Sequence, residues 1–320
     1  MLIVLLMSCA KPTPVAIPRQ LSTEEGLSAE VISKGDIPSR LAAPDEANLV
    51  IFYTGEQRAD LQPCGCADTP RGGLPRTAAY IAAAGEGLII NGAGWLDEGQ
   101  TLDGSPMADA KLKNQWMVTG LKQLSVDIVH VGFGDLIGLS RMDESPDLPM
   151  ISANLRGPGL TTHQIIEHGG QRVGISGISH EGHISIATPG FERLEPYSAA
   201  KPILEHLSAE SDFVVLLNNN ATQATKKLIR DGHVDLVIET AHHRGFEPPF
   251  RHGNSIWVRS HDQGLRLGEL RVTTDSEDGI TAHDRKIDLD STVPNQSDMA
   301  AIADEAGQEL KALERALFSP

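Results

Sequence analysis

The sequence has few aromatic residues and no excess of basic charge. Aromatic residues make up only 4% of the 320 residues, so a hydrophobic core has to consist mainly of Leu, Ile, Val and Ala, as in many α/β proteins. The sequence has 43 acidic and 27 basic residues, so the formal net charge is -16. This negative charge disfavours binding to polyanions. We therefore expect no nucleic-acid partner.

Long apolar runs are also missing, since no segment reaches the roughly 18 apolar residues that a membrane-spanning helix needs. A short apolar run at residues 2–7 is followed by Ser8 and Cys9. This stretch resembles the end of a bacterial lipoprotein signal peptide, shortened at its start because it lacks the usual basic region. We expect residues 1–9 to be a truncated signal segment, with Cys9 as the lipidated residue.

Residues 10–46 contain five prolines and no sustained apolar period, which predicts a flexible tether. Ala10 follows Cys9 where an Asp would favour retention in the inner membrane, so the segment resembles lipoproteins of the outer membrane. The expected location is the periplasmic face of the cell envelope. The expected partners are the membrane, through the lipid on Cys9, and a protein of the envelope.

From residue 47 onward, short β-branched or aliphatic runs alternate with helical patterns. This alternation predicts βαβ units with parallel strands that are covered on both faces. The predicted strands are 48–53, 87–90, 126–131, 149–154, 172–178, 212–217 and 234–238. The predicted helices are 74–84, 107–124, 201–210 and 221–231. Two later strands, 255–259 and 267–273, have no helix between them, and an amphipathic helix is expected at 298–317.

A series of motifs covers the chain in a recognisable order. The series includes FYTGEQRADL at 52–61, GGLPR at 72–76, LIINGAGW at 88–95, VDIVHVGFGD at 126–135, VVLLNNN at 214–220 and VDLVIETAHH at 234–243. In order and spacing it resembles the catalytic domain of the 5′-nucleotidases, a branch of the calcineurin-like metallophosphoesterases. The resemblance implies an α/β fold for residues 47–320, a single-domain four-layer αββα sandwich with mixed sheets.

The resemblance also implies two divalent cations, held by an Asp-x-His turn, a bridging Asp, an Asn-His pair, a lone His and a Gly-His-x-His turn. This sequence departs from most of these ligands. The first turn has Glu56 and Arg58, and residues 91–95 contain no acid for the bridging position. The other matching positions hold Phe133, Gly134, Asp135, Asn219, Ala241 and His243. Candidate metal ligands are therefore Glu56 and His243, with Asp135, Asp97 or Glu98 as a substitute.

With so few ligands we expect no dinuclear centre, and either no cofactor or a single metal ion. The preferred interpretation is a pseudoenzyme, a non-hydrolytic envelope protein that uses this fold to bind a ligand or partner. The first alternative is a divergent metal-dependent phosphoesterase that uses Glu56, Asp135 and His243. Arg58 and Arg76 are candidates for binding an anion, and equally for ordinary surface arginines.

A second alternative rests on Cys64 and Cys66, which flank one glycine after Pro63. Two thiols this close can bind a soft ion such as Cu(I) or Zn(II), or alternate between a dithiol and a strained disulfide. The pair is equally compatible with a purely structural role. A PCGC sequence followed by GGLPR resembles a subset of 5′-nucleotidase-like lipoproteins, which adds support to the fold but names no activity.

Overall fold

The computed structural model describes residues 21–22, 26–32, 47–64, 70–99, 107–180, 187–240, 247–274 and 279–318. The predicted signal segment with Cys9, most of the predicted tether, Cys66 and His243 lie outside these residues. Among the described residues, no helix is both long and apolar enough to cross a membrane.

The described helices are α1 (Leu74–Ala84), α2 (Ala110–Leu124), α3 (Phe133–Leu139), α4 (Pro196–Glu210), α5 (Thr222–Arg230) and α6 (Ser297–Phe318). The strands up to the middle of the chain are β1 (Leu21–Ser22), β2 (Leu27–Ile32), β3 (Leu49–Thr54), β4 (Leu88–Asn91), β5 (Ile128–His130), β6 (Met150–Ile151), β7 (Leu155–Arg156) and β8 (His163–His168). The later strands are β9 (Gln171–Ser179), β10 (Glu192–Arg193), β11 (Phe213–Asn219), β12 (Leu236–Glu239), β13 (Phe250–His252), β14 (Ser255–Arg259), β15 (Arg266–Thr273) and β16 (Thr281–Asp288).

Two mixed sheets are formed, in the orders β1-β2-β16-β15-β3-β4-β5-β6 and β13-β14-β12-β11-β9-β8. The inward faces of both sheets share one apolar cluster, in which Ile51 and Ile90 of the first sheet meet Val215 and Leu236 of the second. Side chains alternate along a strand, so Val214 points to the opposite face and packs with α4 and α5. Helices α2 and α6 cover the outer face of the first sheet. The predicted four-layer αββα sandwich is confirmed.

Residues 27–32 differ from the sequence prediction of a flexible tether over 10–46. They form β2, which pairs in parallel with β16 from Leu27 opposite Ala282 to Ile32 opposite Ile287. Leu27, Ala29 and Ile32 are buried by this pairing. The prediction is wrong here because a six-residue strand with only weak alternation gains its stability from a partner some 250 residues away.

Candidate functional site

The strands of both sheets end around one cavity. Strands β3, β4 and β5 are parallel in the first sheet, and β9, β11 and β12 are parallel in the second. Ligand sites in such sheets form beyond the carboxyl ends of parallel strands. Here the cavity measures about 490 Å³ and is lined by Glu56, Arg58, Gly94, Leu96, Asp97, Glu98, Phe133, Gly134, His180, Asn219 and Asn220.

The turn after β3 carries two of the predicted site residues into this cavity. Glu56, Arg58 and Ala59 all have a positive φ, at 53°, 52° and 59°. For a residue with a side chain this conformation costs about 1–2 kcal/mol. Three backbone hydrogen bonds offset the cost, from the N–H groups of these residues to the carbonyl oxygens of residues 93, 94 and 95 at 2.8–2.9 Å. The strained turn thereby presents Glu56 and Arg58 side by side.

The guanidinium of Arg58 already has two carboxylate neighbours. Its Nη2 lies 3.0 Å from Glu56 Oε2 and 3.6 Å from Asp262 Oδ1, and the Asp262 side chain is only 1% exposed. The sequence candidate for anion binding is therefore an ion-paired group at the cavity edge. An incoming anion competes with both carboxylates for it.

Two further carboxylates, Asp97 and Glu98, also line the cavity. Asp97 Oδ2 lies 3.5 Å from Lys113 Nζ. Partial burial raises the pKa of Glu98, and the charge of Glu56 raises it further. Because carboxylates outnumber the single guanidinium in the lining, the cavity favours hydrogen-bond donors on a ligand.

The floor of the cavity is a network of uncharged polar groups, at the position where the resemblance implies metal ions. Ser179 Oγ accepts a hydrogen bond from the Phe133 N–H at 2.9 Å and donates one to Asn219 Oδ1 at 3.0 Å. Asn219 Nδ2 donates to the Thr240 carbonyl at 2.8 Å. Sequence reasoning identified only Asn219 and missed Ser179, Thr240 and His180. They could have been identified because each lies within two residues of the end of a predicted strand.

The two sheets touch directly in this floor. A Cβ atom placed on Gly92 would lie 2.3 Å from Thr240 Cγ2, and one on Gly132 would lie 2.8 Å from Asn219 Oδ1. Within residues 91–95, Trp95 is fully buried in the apolar cluster beneath the helices. In the described part of the chain, no three or more His, Cys, Asp or Glu side chains converge as a metal-ligand set. The described residues of the floor do not by themselves supply the ligands of a dinuclear cation centre.

Asp135 was a candidate metal ligand, and the structure requires a revision. Its carboxylate is fully buried and accepts hydrogen bonds from the backbone N–H groups of Gly94, Leu96 and Gly132. Burial raises the pKa of Asp135 to about 7, although the three amides act to lower it. Both oxygens are occupied by backbone donors, so the side chain supports the cavity wall and is not part of its lining.

Arg76 is also placed differently from the sequence hypothesis of anion binding. Its Nη1 donates hydrogen bonds to the carbonyl oxygens of Pro70 at 2.8 Å and Leu289 at 2.9 Å. The side chain is only 7% exposed, and burial lowers its pKa. Arg76 therefore joins two distant loops, whereas Arg58 faces the cavity.

Cys64 lies beside a second cavity of about 440 Å³, between residues 59–64 and α6. The wall contributed by α6 consists of Ala303, Ala306, Gly307 and Leu310. Cys64 is half-buried, and its Sγ accepts a hydrogen bond from the Arg71 N–H at 3.3 Å. Because Cys66 lies outside the described residues, the thiol pair stays a prediction.

No protein-family description matches the sequence, and no curated protein sequence matches it. Solved structures do match. The 5′-nucleotidase precursor from Thermus thermophilus matches with a TM-score of 0.65 and 18% identity over 83% of this chain and 60% of that chain. The sulfate thiohydrolase SoxB of the same organism, in complex with glycerol, has a TM-score of 0.65 and 16% identity, covering 82% and 61%.

The NAD nucleotidase of Haemophilus influenzae matches with a TM-score of 0.64 and 12% identity over 85% of this chain and 61% of that chain. The chain thus spans about 60% of the length of the structures it resembles. At these identities the similarity shows the fold alone, which is that of the 5′-nucleotidase-like metallophosphoesterases.

Proposed function

We propose that this chain is a lipid-anchored envelope protein whose 5′-nucleotidase-like domain binds a ligand or a partner and does not hydrolyse phosphate esters. The observation that carries the proposal is the direct contact of the two sheets in the cavity floor. Thr240 packs against Gly92 and Asn219 packs against Gly132, where neutral groups hydrogen-bond to one another.

A dinuclear phosphoesterase needs anionic and imidazole ligands that converge, including one carboxylate that bridges both cations. In this chain the carboxylate of Glu56 is paired with Arg58 at 3.0 Å, and that of Asp135 is bound by backbone amides. A guanidinium also repels a cation at this distance. The pairing of these two carboxylates with other groups supports a protein that binds a ligand or partner over a divergent metal-dependent phosphoesterase.

The cavity itself has the character of a binding site. Its volume of about 490 Å³ falls within the 300–1,000 Å³ typical of small-molecule pockets. Backbone strain concentrates at functional sites, and the turn at residues 56–59 together with Asn220, whose φ is 57°, lies along this cavity. The lining suits a small polar ligand that carries hydrogen-bond donors.

Metal content and turnover test the proposal together. We expect the purified protein to retain no stoichiometric metal after dialysis, and to hydrolyse neither AMP nor an aryl phosphate when Mn²⁺, Mg²⁺, Zn²⁺ or Co²⁺ is added. Glu56→Gln and His243→Ala serve as controls for a contaminating phosphatase. Metal-dependent turnover that both substitutions abolish is the result that would overturn the proposal.

Binding can be followed through the backbone amides of Gly94, Gly134 and Asn220 in an NMR titration. The probes are small sugars, amines and nucleosides, added singly. We expect at least one class to shift these three signals more than amides outside the cavity. If none of the probes shifts them, the small-ligand form of the proposal loses its support and partner binding remains to be tested by crosslinking.

The lipid anchor is proposed from the apolar run at residues 2–7 that ends at Ser8 and Cys9. Protein isolated from its host should fractionate with membranes, and mass spectrometry should find an acylated Cys9 at the mature N-terminus. Cys9→Ser should abolish the modification. An unmodified N-terminal peptide from a membrane-free fraction would contradict the anchor and its outer-membrane location.

The thiol pair supports a second candidate function because Cys64 lies at the second cavity and accepts a backbone hydrogen bond. Reactive thiols in such positions are accessible to reagents and ions, unlike buried structural ones. We expect labelling of Cys64 and Cys66 to change on mild reduction or on addition of Cu(I) or Zn(II). If both stay unlabelled under every condition in the folded protein, the redox and soft-metal functions should be abandoned.

A further inference from the structure

One buried carboxylate connects the two loops that form a wall of the 490 Å³ cavity. Asp135 lies in the first turn of α3 and has no exposed surface. Its Oδ2 accepts hydrogen bonds from the Gly94 N–H at 2.9 Å and the Gly132 N–H at 2.8 Å, and its Oδ1 accepts one from the Leu96 N–H at 3.0 Å.

Both loops contribute directly to the lining. The loop after β4 brings Gly94, Leu96, Asp97 and Glu98, and the start of α3 brings Phe133 and Gly134. The backbones of both loops also lie against lining carboxylates. A Cβ on Gly94 would lie 3.1 Å from Glu56 Cδ, and one on Gly134 would lie 2.6 Å from Glu98 Oε1. A shift of either loop therefore changes the spacing between Glu56 and Glu98.

We propose that Asp135 is the positioning residue of the cavity, which holds residues 94–96 and 132–134 at a fixed separation and so sets the width of the site. The inference rests on the proposed function, in which this cavity binds a ligand. An ionised carboxylate suits the role because it offers acceptors only, and three converging N–H donors require an acceptor in every direction. An amide of the same shape presents an NH₂ group to at least one of them.

The test is amide hydrogen exchange in Asp135→Asn, measured on the full chain without ligand at a pH above 7, where the Asp135 carboxyl group of the unmodified protein is mainly ionised because its pKa is about 7. Exchange at Gly94, Leu96 and Gly132 should be at least about tenfold faster, because these amides lose a charged acceptor. Exchange at Val215 and Leu236 in the central strands should stay within about twofold of the unmodified protein. Asp127→Asn is the matched control, since Asp127 Oδ2 accepts the Ile89 N–H at 2.8 Å away from the cavity.

Unchanged exchange at the three amides in a folded variant would overturn the proposal. An equal acceleration at every amide would also overturn it, because that pattern indicates loss of global stability. If the variant does not fold, the unmodified protein provides the measurement. Scalar couplings across the hydrogen bonds should join Asp135 Cγ to the amide nitrogens of Gly94 and Leu96, and their absence would refute the inference. Neither measurement involves a ligand. A failure of this inference can therefore be distinguished from a failure of the proposal that the cavity binds a ligand.

Discussion

Two arginines show how environment decides the role of a residue. Arg58 is 45% exposed and forms its ion pairs at the cavity edge. Arg76 is buried and donates to carbonyl oxygens that lie far apart in the chain. Exposed ion pairs contribute little to stability, whereas removal of a buried donor leaves its acceptors unsatisfied.

Arg76→Ala should therefore lower the free energy of unfolding by about 2–4 kcal/mol, and Arg58→Ala by less, because the Arg58 guanidinium is 45% exposed although one of its partners, Asp262, is buried. Urea denaturation at neutral pH measures both. Arg76→Lys should recover only part of the loss, because an ammonium does not reproduce the geometry of the guanidinium. Equal effects of the two alanine substitutions would contradict the assignment of Arg76 as a buried clamp.

His130 is a buried histidine between the sheets. It has no exposed surface, and neither ring nitrogen has a hydrogen-bond partner among the described residues. Burial lowers the pKa of His130 to about 3, from an ordinary value of 6.5. In the unfolded chain the ring takes up a proton at the ordinary value. Above pH 6.5 the neutral, buried ring makes its full contribution to the free energy of unfolding. This contribution is lost as the pH falls toward 3, because the unfolded chain then binds a proton that the folded chain does not.

The acid sensitivity of the protein should accordingly depend on this residue. Between pH 7 and pH 4, unfolding free energies from urea denaturation should fall less steeply in His130→Leu than in the unmodified protein. An apolar substitution on the same strand provides a control, and Ile128→Leu should keep the original slope. If the unfolding free energies of His130→Leu and of the unmodified protein fall equally steeply with decreasing pH, other titratable groups cause the acid sensitivity.

At the scale of elements, β2 is tied to the sheet by a row of buried charges. Arg285 of β16 donates from Nε to Glu30 of β2 at 2.9 Å and from Nη1 to Glu269 of β15 at 3.0 Å. Tyr80 of α1 donates to the other oxygen of Glu269 at 2.5 Å. The row connects three strands and a helix. Without β2, Arg285 keeps only one of its two carboxylates.

A chain that begins at residue 47 should consequently be less stable than one that begins at residue 21. We expect a loss of at least about 3 kcal/mol, because the truncation removes apolar burial and one partner of a buried charge. The comparison isolates residues 21–46, since the longer chain keeps β1 and β2. Thermal denaturation of both chains measures the difference. Equal midpoints would mean that the pairing of β2 with β16 adds nothing measurable to stability.

At the scale of the whole molecule, the contact between the sheets is close throughout the site end of the sandwich. The inward face of Gly177 in β9 meets His130 of β5, where an added Cβ would lie 2.4 Å from His130 Cδ2. Gly174 on the same strand faces outward, and an added Cβ there would lie 2.5 Å from Ser211 Oγ. A substitution at Gly177 therefore probes the contact between the two sheets, and one at Gly174 probes the outer face of the second sheet.

A double-mutant cycle can separate these layers. Gly177→Ala should cost about 1–3 kcal/mol when His130 is present and much less in His130→Ala, because the two side chains compete for one space. Gly174→Ala should cost the same in both backgrounds. Additive effects of Gly177→Ala and His130→Ala would contradict the direct packing of the sheets at this point.

The sequence by itself predicted most of the helices and the buried parallel strands, and its motifs carried the resemblance that implied the layered fold. The helix at 74–84 and the strand at 255–259 were predicted with the bounds that the structure has, since periodicity is a local property of the chain. Strands β2, β8 and β16 and the helix α3 were not predicted, because their stability depends on partners elsewhere in the fold more than on a local pattern.

Tertiary structure alone decided what the site residues do. The family resemblance assigned Glu56, Arg58 and Asn219 to positions of one site, and they do line one cavity. Only the folded chain shows that Asp135 and Arg76 turn away to bind backbone groups. The physical reason is that hydrogen bonding and burial depend on where side chains from distant segments converge, which the pattern of residue types along the chain does not record.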